Sequence, residues 1–146
     1  MTVDGDRVNE DDVARIVRDL RDPDGPDIVS IGEIPSKALA HWPNRTTDHV
    51  IITRRQRDHY LDEHPEMAEF EESLVRTLLD PEQVHVATGP GDTAALFGRQ
   101  DSAHDIVVIV AVSSEESLAN SVITARRQRT TRKFTESKRR NMVRGK

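Results

Sequence analysis

The sequence predicts an α+β domain in which N-terminal helices pack on a mainly antiparallel sheet of four to five strands. Three observations lead there. Apolar residues recur at helical spacing in the first half of the chain. Short β-branched runs crowd the second half. Those runs are separated by turn signals instead of helix-length spacers, which favours a meander over parallel crossovers.

The elements follow in order. Val13, Ile16, Val17 and Leu20 mark an amphipathic helix from about Asn9 to Leu20. Asn9 is placed to cap it, and Asp11 and Asp12 suit its first turn. Asp22-Pro23-Asp24-Gly25-Pro26 stops it with turn chemistry. Asp27 to Ile34 reads as a strand. Pro35 opens a short helix through Trp42, and Asp48 to Thr53 reads as a second strand. Thr53 then caps a helix to about Glu63. Pro65 biases His64 away from helical dihedrals and suits the first turn of a new helix to Leu79. Met67, Phe70, Leu74, Val75 and Leu78 form its apolar stripe. After Asp80-Pro81, strands are expected at Gln83–Ala87, Ala94–Phe97, Asp105–Val112 and Asn120–Ala125, with a hairpin turn at Gly89-Pro90-Gly91-Asp92.

Charge is unevenly placed. The net charge is -5, yet residues 121–146 hold ten Lys or Arg against the single acid Glu136. Residues 1–30 are acidic. A segregated basic end points to one anionic partner at one place. The chain has no cysteine, which removes disulfides and thiolate metal sites and fits a reducing compartment. No apolar run reads as a signal or a membrane span. A cytoplasmic protein with no membrane partner is the expectation. Three segments are expected: an acidic extension over 1–26, a main domain over 27–128 and a basic tail over 129–146.

The candidate chemistry rests on imidazoles, a hydroxyl and guanidiniums. His59 lies mid-helix with Arg55 one turn earlier on the same face, a phosphate anchor beside a titratable ring. His64 sits about 140° further round an unbroken helix, so it meets His59 only if the break at Pro65 turns it back. Thr124 ends the last strand, where its hydroxyl suits a phosphate. Arg126, Arg127 and Arg129 follow, and guanidiniums bind phosphate through two parallel bonds. Arg132 and Lys133 continue the charge into the tail. Two histidines five apart do not match a zinc helix, so no metal and no cofactor are expected. His41, His49, His85 and His104 rank below these. His85 alternates with Val84 and Val86 and is expected to face solvent, and His104 falls at a turn.

Several pieces occur in a telling order: Ile31-Gly32-Glu33-Ile34; Val50-Ile51-Ile52-Thr53 running into the helix with His59; His64-Pro65; Leu79-Asp80-Pro81-Glu82-Gln83-Val84; and Ile123-Thr124-Ala125 after the apolar strand Ile106–Val112. Over about Ile28 to Arg127 this layout resembles the phage-associated Barnase–EndoU–colicin–RelE-like nucleases, the PBECR group. After Thr124-Ala125 an aromatic or small polar residue is expected in the group at least as often as the Arg126-Arg127 pair that this chain has. The resemblance implies a BECR or RelE-like fold and a toxin-like, metal-independent endoribonuclease that uses the RNA 2′-OH as nucleophile. It implies single-stranded RNA or tRNA as substrate and an inhibitory protein as companion. His59, His64, Thr124 and Arg126 would be the catalytic residues. Arg55, Arg127, Arg129, Arg132 and Lys133 would bind RNA phosphates. Two other readings stay open: a non-catalytic nucleic-acid-binding protein on the same scaffold, and a phage-associated interaction module.

Overall fold

The computed structural model describes residues 8–87, 92–116, 118–130 and 142–144. The fold is α+β, and among the described residues three α-helices lie on one face of a mostly antiparallel sheet. The helices are α1 (Glu10–Arg21), α2 (Arg54–Glu63) and α3 (Glu71–Leu79). The strands are β1 (Ile28–Glu33), β2 (His49–Thr53), β3 (Gln83–Val86), β4 (Thr93–Arg99), β5 (His104–Ala111), β6 (Asn120–Arg129) and β7 (Met142–Arg144). Their order across the sheet is β1-β2-β6-β5-β4-β3-β7. The sheet therefore has seven strands, more than the four to five expected. The four-strand meander is extended at one edge by β1 and β2, which join it through β6, and at the other by β7, from the segment read as a basic tail. β6 runs on to Arg129, and β7 pairs with β3 at the far edge.

β3 to β6 form the expected meander. β2 joins it by parallel pairing with β6, Val50 opposite Asn120 and Ile51 opposite Ser121. Asn120 is buried at this joint. Its Nδ2 donates to the Thr47 carbonyl (2.8 Å), and its Oδ1 accepts from the Ser113 N–H (2.8 Å).

Local chemistry sets the helix ends. The Asn9 side chain accepts from the N–H groups of Asp11 and Asp12, and Thr53 Oγ1 accepts from Gln56 N–H. These are the two caps expected, and each satisfies a donor that the first turn leaves open. Pro65 does end α2, but the following segment is not one helix. Residues Pro65–Glu69 form a 3-10 helix, and α3 starts only at Glu71. The segment after Pro35 is likewise a single 3-10 turn, Ser36–Leu39.

One core lies between helices and sheet. Val13, Ile16, Val17 and Leu20 of α1 belong to it together with Leu74, Val75 and Leu78 of α3 and Val50, Ile52, Leu96, Ile106, Val108 and Val122 of the sheet. The acidic first helix thus contributes to the main core, and Arg76 of α3 holds its Glu10 through a two-pronged ion pair. On the opposite face, Ala95, Phe97 and Val107 make a smaller cluster. His85 lies on that face and is buried, with its ring edge-on to Phe97 at 4.9 Å. The expectation that His85 faces solvent is therefore corrected. Strand alternation picked the correct face, but that face is itself apolar here. No helix among the described residues is long and apolar enough to cross a membrane.

Two positions fix how closely helix and sheet approach. Gly32 has φ +135° at the irregularity in β1, a backbone state that side chains other than glycine disfavour. Gly98 faces Thr77 of α3, and a methyl there would lie 2.3 Å from Thr77 Oγ1. Gly98→Ala should cost about 1–3 kcal/mol in urea unfolding, as overpacked cores do. Adding Thr77→Ala should recover part of that loss, and a strictly additive double mutant would refute the contact.

The helix layer is tied by one buried carboxylate. Glu71 has no exposed surface. Arg57 Nε donates to its Oε2 (2.7 Å) and Arg57 Nη2 to its Oε1 (2.8 Å); Tyr60 Oη donates to Oε2 (2.6 Å) and Arg21 Nε to Oε1 (3.2 Å). Burial alone would raise its pKa, but the bonds from Arg57 and Tyr60 outweigh that and hold it below the usual 4.5. A carboxyl lowered by folding stabilises the fold above the unfolded pKa. That stabilisation is lost as pH falls through the folded value. Stability should accordingly decline as pH drops below about 4.5, and Glu71→Gln should flatten this dependence. At neutral pH Glu71→Gln should cost about 3–5 kcal/mol by denaturant titration, because it strands the half-buried Arg57 charge. An unchanged midpoint would show that the network is dispensable.

Candidate functional site: the two faces of strand β6

Strand β6 carries Thr124, Arg126, Arg127 and Arg129, and β alternation sends them to two faces. Register shows which. Thr124 pairs with Ile109, itself opposite Ala95, and Arg126 pairs with Val107, itself opposite Phe97. These two rows lie on the outer face, away from the helices. Arg127 pairs with Ile106 and Arg129 with His104, on the helix side. The four residues therefore do not form one patch.

The outer pair has unmet bonding capacity. Thr124 Oγ1 is buried and has no hydrogen-bond partner among the described residues. Arg126 is half-buried beside Val107, and desolvation lowers its pKa from the ordinary guanidinium value. Its Nε donates to Gln128 Oε1 (2.9 Å), which steers the guanidinium, and no carboxylate among the described residues pairs with it. Among the described residues, then, a desolvated cation lies beside a hydroxyl and neither has a counter-charge, the chemistry that an anion would complete.

The inner arginine is fully occupied. Arg127 lies over the Phe70 ring, 4.6 Å from its centroid. Its Nε donates to Gln100 Oε1 (2.8 Å) and its Nη2 to Asp101 Oδ2 (2.9 Å). Asp101 also accepts from Ala103 N–H (2.7 Å), and its Oδ1 lies 3.0 Å from His104 Nδ1. The Ala103 bond first, then those from His104 and Arg127, hold the Asp101 carboxyl down to about 2. This knot closes the β4–β5 turn and clamps it to β6. Arg127, expected to bind phosphate, is thus taken up inside the protein. The knot also brings His104 and Asp101 forward, two residues that sequence reading ranked low or passed over. The Asp-x-x-His spacing at a predicted turn was the available signal.

The remaining candidates are spread out. α2 follows directly from β2 and packs on β6. His59 is exposed on it, with Nε2 3.1 Å from Glu63 Oε1. His64 caps the end of α2, with Nδ1 3.8 Å from Glu66 Oε2. Among the described residues neither imidazole bonds to Thr124 or Arg126. Arg55 is exposed and lines a shallow depression of about 440 Å³ with Ile28, Thr53 and Asp58. Arg129 is exposed at the end of β6. Arg132 and Lys133 lie outside the described residues, as does the expected turn at Gly89-Pro90-Gly91. His49, on β2, bonds Ser30 across to β1 (2.9 Å). Among the described residues no group of three His, Cys, Asp or Glu side chains is arranged to hold a metal ion.

Comparison with family models, with curated proteins and with solved structures finds no match for this chain.

The two arginines should respond differently to removal. Arg127→Met should cost about 1 kcal/mol, from the lost ring contact and ion pair. Arg126→Met should leave thermal stability unchanged or higher, since it replaces a desolvated, unpaired cation by an apolar chain. Equal losses in both would mean that Arg126 is structural.

Proposed function

We propose that this chain is a metal-independent, toxin-like endoribonuclease of the phage-associated Barnase–EndoU–colicin–RelE-like group, acting in the cytoplasm on single-stranded RNA or tRNA. The outer face of β6 carries the reading. Thr124 and Arg126 offer a hydroxyl and a charged fork to a backbone phosphate, beside the apolar side chains of Val107 and Ile109, where electrostatic bonds are stronger than in bulk water. The positive charge that follows β6 in the sequence adds affinity that weakens with salt. The reaction in view is attack by the 2′-OH on the adjacent phosphorus, giving a 2′,3′-cyclic phosphate and a free 5′-OH. DNA lacks that nucleophile and would be inert.

One observation favours a second reading, a non-catalytic RNA-binding protein. His59 and His64 each face a carboxylate of their own segment, and neither bonds to Thr124 or Arg126.

Incubating purified protein with total RNA in EDTA separates the two. The ribonuclease reading expects RNA fragments ending in cyclic phosphate and intact DNA. It also expects Arg126→Ala to lower the rate on the order of 100-fold, as loss of a transition-state donor does. RNA retained on the protein without cleavage would select the binding reading. Neither binding nor cleavage would refute both.

A further inference from the structure

We propose that His104, oriented by Asp101, is the acid–base imidazole of this reaction, at the end of the sheet where β4, β5 and β6 meet. The inference rests on the ribonuclease reading above and replaces its helical imidazoles by one held in the sheet.

A catalytic imidazole needs a fixed ring, a known tautomer and an open nitrogen. His104 meets all three. Its ring nitrogen contacts run through Nδ1, which lies 3.0 and 3.2 Å from the two Asp101 oxygens and 3.0 Å from Arg127 Nη2. We assign the hydrogen to Nδ1, because a carboxylate is a far better acceptor for it than a guanidinium. Nε2 is then left with its lone pair and without a partner among the described residues. Asp101 is itself immobilised by the Ala103 N–H and by Arg127, so it orients the ring from a rigid turn. The helical imidazoles lack this arrangement. Glu63 lies one turn from His59 on an exposed helix face, and Glu66 is 3.8 Å from His64.

Phosphate ligands stand beside the ring. Arg129 is the direct cross-strand partner of His104, is exposed, and has no ion pair among the described residues. Strand alternation puts Thr124, in mid-strand, and Arg126 on one face of β6, and Arg129 with His104 on the other face at its end. An RNA strand bending round that end meets an anchoring phosphate site first and the imidazole next. In the step itself, His104 Nε2 takes the proton of the 2′-OH. The 2′-oxygen forms a bond to phosphorus and the bond from phosphorus to the 5′-oxygen breaks. The 5′-oxygen leaves with a proton from solvent water, and the imidazolium returns its proton to the hydroxide so formed. Arg129 faces the charge growing on the phosphoryl oxygens.

The test compares wild type, His104→Gln and His59→Ala on a defined RNA oligonucleotide in EDTA, with RNA affinity and melting temperature measured in parallel. The proposal expects His104→Gln to lose at least about 100-fold in cleavage, the usual contribution of an acid–base group. RNA affinity should remain, and His59→Ala should cleave like wild type. Asp101→Asn should shift the pH profile of cleavage, which a purely structural turn would not do. Wild-type cleavage with full activity in His104→Gln would overturn this inference and leave the ribonuclease reading standing. No cleavage by wild type would overturn both. If His104→Gln does not fold, His104→Gly with added imidazole takes its place; restored cleavage supports the proposal and unrestored cleavage overturns it.

Discussion

The Glu71 carboxylate ties the three described helices of the layer to one another. It opens α3 and receives bonds from two other helices: from Arg21 at the end of α1, and from Arg57 and Tyr60 on α2. Taking one carboxylate out of water is costly, and here the cost is met by four donors on two oxygens. An aliphatic side chain at position 71 would add apolar contact but would not tell α1 and α2 where to stop. The network therefore specifies geometry. It sets α2 against β6 and brings Phe70, the residue before Glu71, under Arg127.

That placement decides how β6 divides its arginines. The strand alternates, so adjacent arginines cannot share a face. On the helix side there is a ring for Arg127 to cover and a turn carboxylate for it to bind. On the outer side Arg126 has Val107, Phe97 and Gln128 for company and no acid among the described residues. Stability and binding are thus separated along one strand. The braced arginine is bonded within the fold, and Arg126 stays a desolvated charge with no acid partner among the described residues. Unsatisfied groups of this kind are a liability in a folded protein unless something outside the chain completes them.

Much of the fold was legible because it rests on local signals. The caps at Asn9 and Thr53, the stop at Pro65, the apolar stripe of α1 and the β3–β6 meander each follow from a few neighbouring residues. What was not legible depends on long-range contacts. Glu71 reads as an ordinary first-turn acid until Arg21 and Arg57 are brought to it from elsewhere in the chain. His85 reads as a solvent-facing residue because alternation gives the face but not what lies on it. β7 was invisible in a stretch whose charge suggests a tail. The division of the site was partly available: period two applied to Thr124, Arg126, Arg127 and Arg129 separates them at once, whereas treating the arginines as a block of charge merges them. The knot of Asp101, His104 and Arg127 could not be read from composition, since it joins a turn to a strand more than twenty residues away.

On the proposed reading Arg126, half-buried and with no carboxylate partner among the described residues, meets the RNA backbone. Its Nε–H signal in a nitrogen-15 NMR titration with a short single-stranded RNA reports on this directly. This signal should move progressively to saturation as RNA is added. A signal that stays in place while the RNA is demonstrably bound would contradict it.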